Sequence, residues 1–428
     1  MKSKPLTYDS LKTVLLYMEP NIRFLLSSRA PSIRVTDKVV PLKINKMLLL
    51  EHGIRVNQTS YEYGIYQVDN NKILLEVSGF SGLNFIWTCD VDEFGVRDYI
   101  NRAGELEKER YDQLINYRPK DNKINDKNNI FDFYHIRHDV AQKYKKEELE
   151  LLENEEMVKE AIEYTNKRIK RMEHELLPFE NKRKNIRPKF EIQLTKQQTN
   201  SEPCVIERVK YEGDLHKAGI SLMKFMFTKR QHAIQVKSLI IMPRCSIQIP
   251  PDMKLRFKHL ELVIHVSTSI ETLKPIIDES SFPCEKLKIY FGSNEGQELD
   301  QEFIKHFKVL LIDGTTELSL PLIQNLQNQI VHFQLYSNSF VQRDDFIVLI
   351  RNWVAISKPI GTCFTFNFYK DESFMIQILN RVKDQIEGSR AGNKCVDIPM
   401  RNSTVLKVSY KPLRGNRFLM KMAVLPFK

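Results

Sequence analysis

Six short apolar runs recur through the second half of the chain, and that recurrence limits what the chain can fold into. They are Leu239-Ile240-Ile241, Leu262-Val263-Ile264, Leu287-Lys288-Ile289, Leu310-Leu311-Ile312, Phe333-Gln334-Leu335 and Phe364-Thr365-Phe366. Their first residues lie 23, 25, 23, 23 and 31 positions apart. Helical stretches sit in several gaps, at 268–277, 301–307, 344–355 and 372–382. A strand with a return helix every 20 to 29 residues has the period of leucine-rich-repeat architecture. The Asn that follows the strand in regular repeats of that kind is missing, which makes this an irregular version. A conventional α/β sheet with the same alternation fits the pattern as well.

The remaining segments read differently. Leu11, Val14, Leu15 and Met18 share one helical face, capped by Thr7 or Asp9 and stopped by Pro20. A second short helix, Asn21 to Arg29, carries Ile22, Leu25 and Leu26 and ends at Ala30-Pro31. From Val39 to about Ile100 the period becomes that of strands, which predicts a small antiparallel β unit. Residues 118–129 are mostly Asp, Asn and Lys and read as a polar linker. Residues 139–177 hold neither Gly nor Pro and predict one long charged helix. Its heptad seam is apolar only in the second half, through Ile162, Ile169, Met172 and Leu176, so a coiled coil is one of two readings. Residues 404–426 alternate as two strands about 411–417, an end-capping hairpin.

Composition narrows the class. Hydrophobic residues form 42% of the 428, and no apolar run approaches the roughly 20 residues of a membrane helix. With no secretory pattern behind Met1-Lys2-Ser3-Lys4-Pro5, a cytoplasmic protein is expected, and no membrane partner. The six cysteines are widely separated and are read as reduced, buried thiols. Net charge is +11, unevenly placed. Residues 147–163 hold eight acids against Lys159, residues 167–189 nine bases, and 401–428 seven bases with no acid. Such blocks are read as solvated faces, so nucleic acid is not the leading partner. The cluster Lys182-Arg183-Lys184-Asn185-Ile186-Arg187 keeps nuclear import open.

Motifs of chemistry fail one by one. Asp90-Val91-Asp92-Glu93-Phe94-Gly95 starts like a calcium loop but has Phe94 at its fifth position and Asn101 at its twelfth, and reads as an acidic turn. His135 and His138, near Asp132 and Asp139, read as a polar patch rather than metal ligands. His174-Glu175-Leu176-Leu177-Pro178 puts Pro where a zincin needs its second His. Gly79-Phe80-Ser81-Gly82 is no nucleophile elbow, and no phosphate-binding glycine loop occurs. No catalytic, metal or cofactor-binding residue is expected, and the chain is read as no enzyme.

Four stretches carry a resemblance. They are Pro5-Leu6-Thr7-Tyr8-Asp9-Ser10-Leu11-Lys12 with the run to Ser32, Asp90–Gly95, Ile350-Arg351-Asn352-Trp353-Val354 with Ile360–Phe366, and Cys395-Val396-Asp397-Ile398-Pro399-Met400. Together they resemble a nematode-expanded family of uncharacterised proteins related to F-box proteins. The resemblance implies an N-terminal helical module that binds a ligase adaptor and a C-terminal region that holds a protein substrate. Pro5, Leu6, Leu11, Leu15, Ile22 and Leu26 are the positions with chemistry suited to adaptor binding.

The expected fold is α+β. Residues 1–38 form an F-box-like helical segment, 39–117 a small antiparallel β unit, and 118–180 a polar linker with a long charged helix. An irregular leucine-rich-repeat-like α/β domain with a C-terminal hairpin fills 181–428. The expected function is a non-enzymatic protein–protein interaction protein, a divergent substrate-recognition subunit of a cullin-type ubiquitin ligase. The alternatives are a scaffold that self-associates through 139–177 and a basic nucleic-acid-binding protein.

Overall fold

The computed structural model describes residues 7–50, 52–68, 75–78, 90–97, 155–242, 249–263, 266–291, 299–314, 319–335, 339–369, 371–401, 403–414 and 417–427. The chain divides into two units: residues 1–61, 196–204 and 216–428, and residues 62–195 with 205–215.

The larger unit opens with three helices: α1 (Tyr8–Tyr17), α2 (Pro20–Arg29) and α3 (Pro31–Val39). Strands β1 (Lys43–Leu50) and β2 (Gly53–Val56) follow. After helix α5 (His216–Phe227) come six strands: β7 (Ile234–Ile241), β8 (Leu255–Leu262), β9 (Cys284–Phe291), β10 (Phe307–Gly314), β11 (Ile330–Leu335) and β12 (Cys363–Tyr369). Between them lie α6 (Val266–Leu273), α7 (Gln301–Ile304), α8 (Leu320–Asn325), α9 (Ser339–Gln342) and α10 (Asp344–Ile356). Helix α11 (Glu372–Gln385) leads to β13 (Arg390–Gly392), β14 (Cys395–Met400), β15 (Thr404–Leu413) and β16 (Arg417–Pro426).

β7 to β12 lie side by side, parallel and in chain order. β1 adds in parallel beyond β7, with β2 antiparallel outside it. At the other end β16 joins β12 antiparallel, followed by β15, β14 and β13. Register aligns one buried side chain per strand into a continuous row. It runs Val56, Met47, Leu239, Leu260, Leu287, Leu310, Val331, Phe364, Met422, Val408, Val396, and none is more than 2% exposed. Helices cover this face. The Trp353 ring of α10 meets Phe364 at 4.7 Å, and Phe346 meets Phe366 at 5.9 Å, both edge-on.

Five of the six repeat runs lie within strands, while the second places only Leu262, the last residue of β8, in its strand; the expected fold class is corrected. β1 and β2, expected in a separate antiparallel β unit, share one mixed sheet with the repeat strands. β1 is the reason. Met47, Leu48 and Leu49 are buried in succession, and both edges of the strand take partners. The C-terminal strands are likewise more than a capping hairpin, because β16 pairs along seven residues of β12. The N-terminal helices number three, not two. Pro31, read as an end, starts α3, where its missing N–H costs no bond.

The smaller unit holds the later residues of β3 (Thr59–Val68), β4 (Leu75–Ser78), helix α4 (Glu155–Lys184), and most of β5 (Lys189–Gln198) and β6 (Cys204–Lys210). The long helix expected over 139–177 is not shown. Residues 139–154, like His135, His138 and the 118–129 linker, lie outside the described residues, and α4 continues through Pro178 instead of ending there. Asp90 and Asp92 serve a turn. The Asp92 carboxylate accepts from the Phe94 and Val96 amides at 2.9 and 2.8 Å, and Asp90 accepts from the Tyr211 hydroxyl and the Leu215 amide. Gly95 has φ +91°, and a Cβ there would stand 3.1 Å from the Phe190 ring.

Two predictions follow from this packing. Leu287, fully buried on a central strand, loses about 2–5 kcal/mol of unfolding free energy on replacement by Ala, measured by urea denaturation. Burial pushes the His52 imidazole down from 6.5 to about 4. The unfolded chain therefore binds this proton first, so its contribution is complete above about pH 6.5 and lost as pH falls toward 4. The loss is on the order of 3 kcal/mol. His52→Leu flattens the stability profile across that window in denaturation at stepped pH.

Candidate interaction surfaces

The N-terminal helices are tied to the sheet by polar contacts that begin with local capping. Thr7 caps α1 by accepting from the Ser10 amide. Glu19 caps α2, its carboxylate accepting from the Asn21 and Ile22 amides at 2.7 and 3.2 Å and from the Asn57 side chain at 3.0 Å. Asn21 donates to the Val56 carbonyl at 3.1 Å and accepts from the Tyr61 hydroxyl at 3.0 Å.

Below them lies a buried charge cluster. Asp37 of α3, 1% exposed, takes Arg23 of α2 on one carboxylate oxygen at 2.6 Å and Arg230 on the other at 2.7 Å. The two guanidinium groups also donate to the carbonyls of Asp37, Val40, Pro41 and Met226, which disperse the second positive charge. Next to it the Lys38 ammonium donates to the Phe225 carbonyl at 2.8 Å, and burial followed by the Arg230 charge lowers it to about 8. Phe24 meets Phe227 edge-on at 5.8 Å.

With their undersides fixed, the helices turn apolar side chains outward. Tyr17 is 83% exposed, Val35 70%, Tyr8 54% and Ile22 50%, with Val14 and Leu25 also exposed. Val14 with Tyr17 and Ile22 with Leu25 are i,i+3 pairs, each sharing a helix face. A groove of about 320 Å³ runs along α1, lined by Tyr8, Lys12, Thr13 and Leu16 against Val39, Val40, Pro41 and Gln231.

The expected site residues are split by this arrangement. Leu15 is completely buried and Leu11 and Leu26 half-buried, while Ile22 faces outward. Pro5 and Leu6 lie outside the described residues. Tyr17 and Val35 were missed: Tyr17 lies off the Leu11–Leu15 stripe, and Val35 belongs to the unforeseen α3.

A second surface is the sheet face turned away from the helices. One row runs Arg55, Leu48, Ile240, Glu261, Lys288, Leu311, His332, Thr365, Lys421. The next runs Lys46, Ser238, His259, Lys286, Val309, Ile330, Cys363, Ala423. Glu261 stands 3.7 Å from the Lys288 ammonium and accepts from the Tyr290 hydroxyl at 3.0 Å. His332 meets the Thr365 hydroxyl at 2.7 Å, and burial, then the Lys286 charge, hold it below the ordinary histidine range. Burial raises the Cys363 thiol, so it stays protonated at neutral pH. Among the described residues no group of three His, Cys, Asp or Glu is placed to hold a metal ion. No described helix is long and apolar enough to cross a membrane.

Residues 214–370 match the family described as Domain of unknown function (DUF3557). The match takes in α5 through β12, the part of the sheet wound in chain order. No curated protein and no solved structure matches the chain.

The charge cluster yields a prediction. Asp37→Asn leaves two buried guanidinium groups without their carboxylate and costs about 3–5 kcal/mol. Urea denaturation gives the value, and a change below that of an ordinary surface substitution would refute the assigned role.

Proposed function

We propose that the chain is a non-enzymatic protein-interaction protein. In this reading it is a divergent substrate-recognition subunit of a cullin-type ubiquitin ligase, with α1–α3 docking the ligase's small adaptor and the sheet holding a protein substrate. The observation that carries the reading is the outward display of Tyr8, Tyr17, Ile22 and Val35 on helices whose other sides are pinned by Asp37 and Asn21. Burying one such side chain against a partner gains about 1.5–3 kcal/mol. The resemblance to F-box-related proteins supports the same reading, and α3 brings the helical segment to the three helices of an F-box.

A second reading, a scaffold that self-associates, draws on α4, where Ile162, Leu176 and Phe179 are each more than half exposed. It predicts a sedimentation coefficient that rises with concentration and is restored to the monomer value by Ile162→Asp.

The adaptor reading is tested by co-expressing the chain with the adaptor subunit. Tyr17→Asp with Ile22→Asp abolishes co-purification while the unfolding free energy shifts by no more than about 0.5 kcal/mol per exposed site. Leu15→Asp, by contrast, unfolds the helices. Failure of the wild type to retain the adaptor would end the ligase reading and leave the scaffold.

A further inference from the structure

The two rows on the helix-free sheet face carry uncompensated charge. Between β2 and β16 their single carboxylate, Glu261, is engaged by Lys288 and Tyr290, and where the second row runs on past Ala423 its Asp397 pairs with Lys407 at 3.3 Å. Four cations in the same rows, Lys46, Arg55, Lys286 and Lys421, have no acidic partner among the described residues. The neighbouring Glu285 is taken by Lys258 at 3.1 Å and His259 at 2.9 Å. Folding therefore pairs Glu261 and Glu285 with bases and leaves these two rows with more cations than acids, while Asp313 stands in the adjoining row between Tyr290 and Gln334. An isolated exposed lysine means little; four along two aligned rows make a directional field.

What lies between the cations narrows the partner further. Val309, Leu311 and Ile330 are half-buried in the same rows. A polyphosphate backbone has nothing to place on them. Single-stranded nucleic acid is held by aromatic stacking as well as charge; these two rows contain no Phe, Tyr or Trp, and the Tyr290 of the adjoining row is engaged by Glu261 and Lys288. A polypeptide that mixes carboxylates with aliphatic side chains satisfies both kinds of position.

We infer that this sheet face binds an acidic, aliphatic-containing polypeptide segment laid across the strands, its carboxylates on Lys46, Arg55, Lys286 and Lys421. The inference rests on reading the chain as an interaction protein and names the chemistry of what the sheet holds. Lys286 and Lys421 are four strand steps apart, about 19 Å at ~4.8 Å per step, or roughly six residues of extended chain. A segment of about twelve residues is long enough to reach a third cation.

The test uses the full chain and a fluorescein-labelled peptide of about twelve residues repeating Glu-Leu, followed by fluorescence anisotropy. A Lys-Leu repeat and polyuridylate of equal length serve as comparisons. The expected result is binding of the Glu-Leu peptide that weakens with added salt, no binding of the Lys-Leu peptide, and poor competition by polyuridylate. Lys286→Glu with Lys421→Glu lowers the affinity roughly tenfold or more without lowering the thermal midpoint. If that pair lowers the midpoint, Lys286→Gln with Lys421→Gln takes its place and gives a smaller loss in the same direction. The inference is overturned if the wild type does not bind the Glu-Leu peptide or if the charge-altered chain binds it equally well. Stronger binding of polyuridylate also overturns it and makes the face a nucleic-acid surface. Adaptor capture is read on α1–α3 in a separate assay, so either result stands when the other fails.

Discussion

Asp37 is the residue on which the arrangement of the larger unit turns. A carboxylate taken out of water is costly unless it is paired, and here it is paired twice, by Arg23 from α2 and Arg230 from the turn before β7. Two neighbouring helices and a turn 193 residues further on must be in place before all three charges are satisfied. A greasy contact in the same position would tolerate sliding, because dispersion and burial have no preferred direction. A carboxylate gripped on both oxygens does not slide. The polar cluster therefore fixes the angle at which the N-terminal helices leave the sheet, and with it the set of side chains presented outward. Tyr17 and Ile22 face solvent because Arg23 and Leu15, on the inward sides, cannot.

The sheet divides its labour between two faces. The helix-covered face carries the stability, through rows of Leu, Val, Met and Phe that stay in register from β2 to β14. The opposite face has no comparable duty, and its residues are mixed. Leu48, Ile240 and Thr365 are buried among their neighbours, whereas every charged member reaches water. In an open sheet whose chain order reverses, ligands gather in the crevice at the reversal. From β7 to β12 the order never reverses, so no such crevice forms there and the broad face is the larger feature.

How much of this was legible follows from what each pattern encodes. The recurring Leu239, Leu262, Leu287, Leu310, Phe333 and Phe364 marked buried strand residues, because period and burial are local properties of a strand with one covered face, but the aligned row itself passes through Leu260 and Val331 in place of Leu262 and Phe333. Membership of β1 in the same sheet was hidden, since Met47 meets Leu239 only through a pairing that no local pattern records. Pro31 misled because proline both ends and begins helices, and only the residues after it decide which. At the candidate site, the spacing of Leu11, Leu15, Ile22 and Leu26 told which side chains share a face but not which face is covered. Leu15 went inward and Ile22 outward. Arg23 and Asp37 gave no sign of burial, since an isolated Arg or Asp usually lies in water.

The parallel pairing of β1 with β7 also has a consequence for how the chain is made. Met47 leaves the ribosome 192 residues ahead of its partner Leu239. At roughly 5–20 residues per second, its neighbour strand is missing for about 10–40 seconds. During that interval the run Met47-Leu48-Leu49-Leu50 can pair only with β2, and its other edge is uncovered. A nascent chain with such a strand is an aggregation hazard and a natural client for a holding chaperone. The N-terminal segment therefore spends up to about half a minute as a waiting strand, and the sheet then extends from β7 outward in chain order.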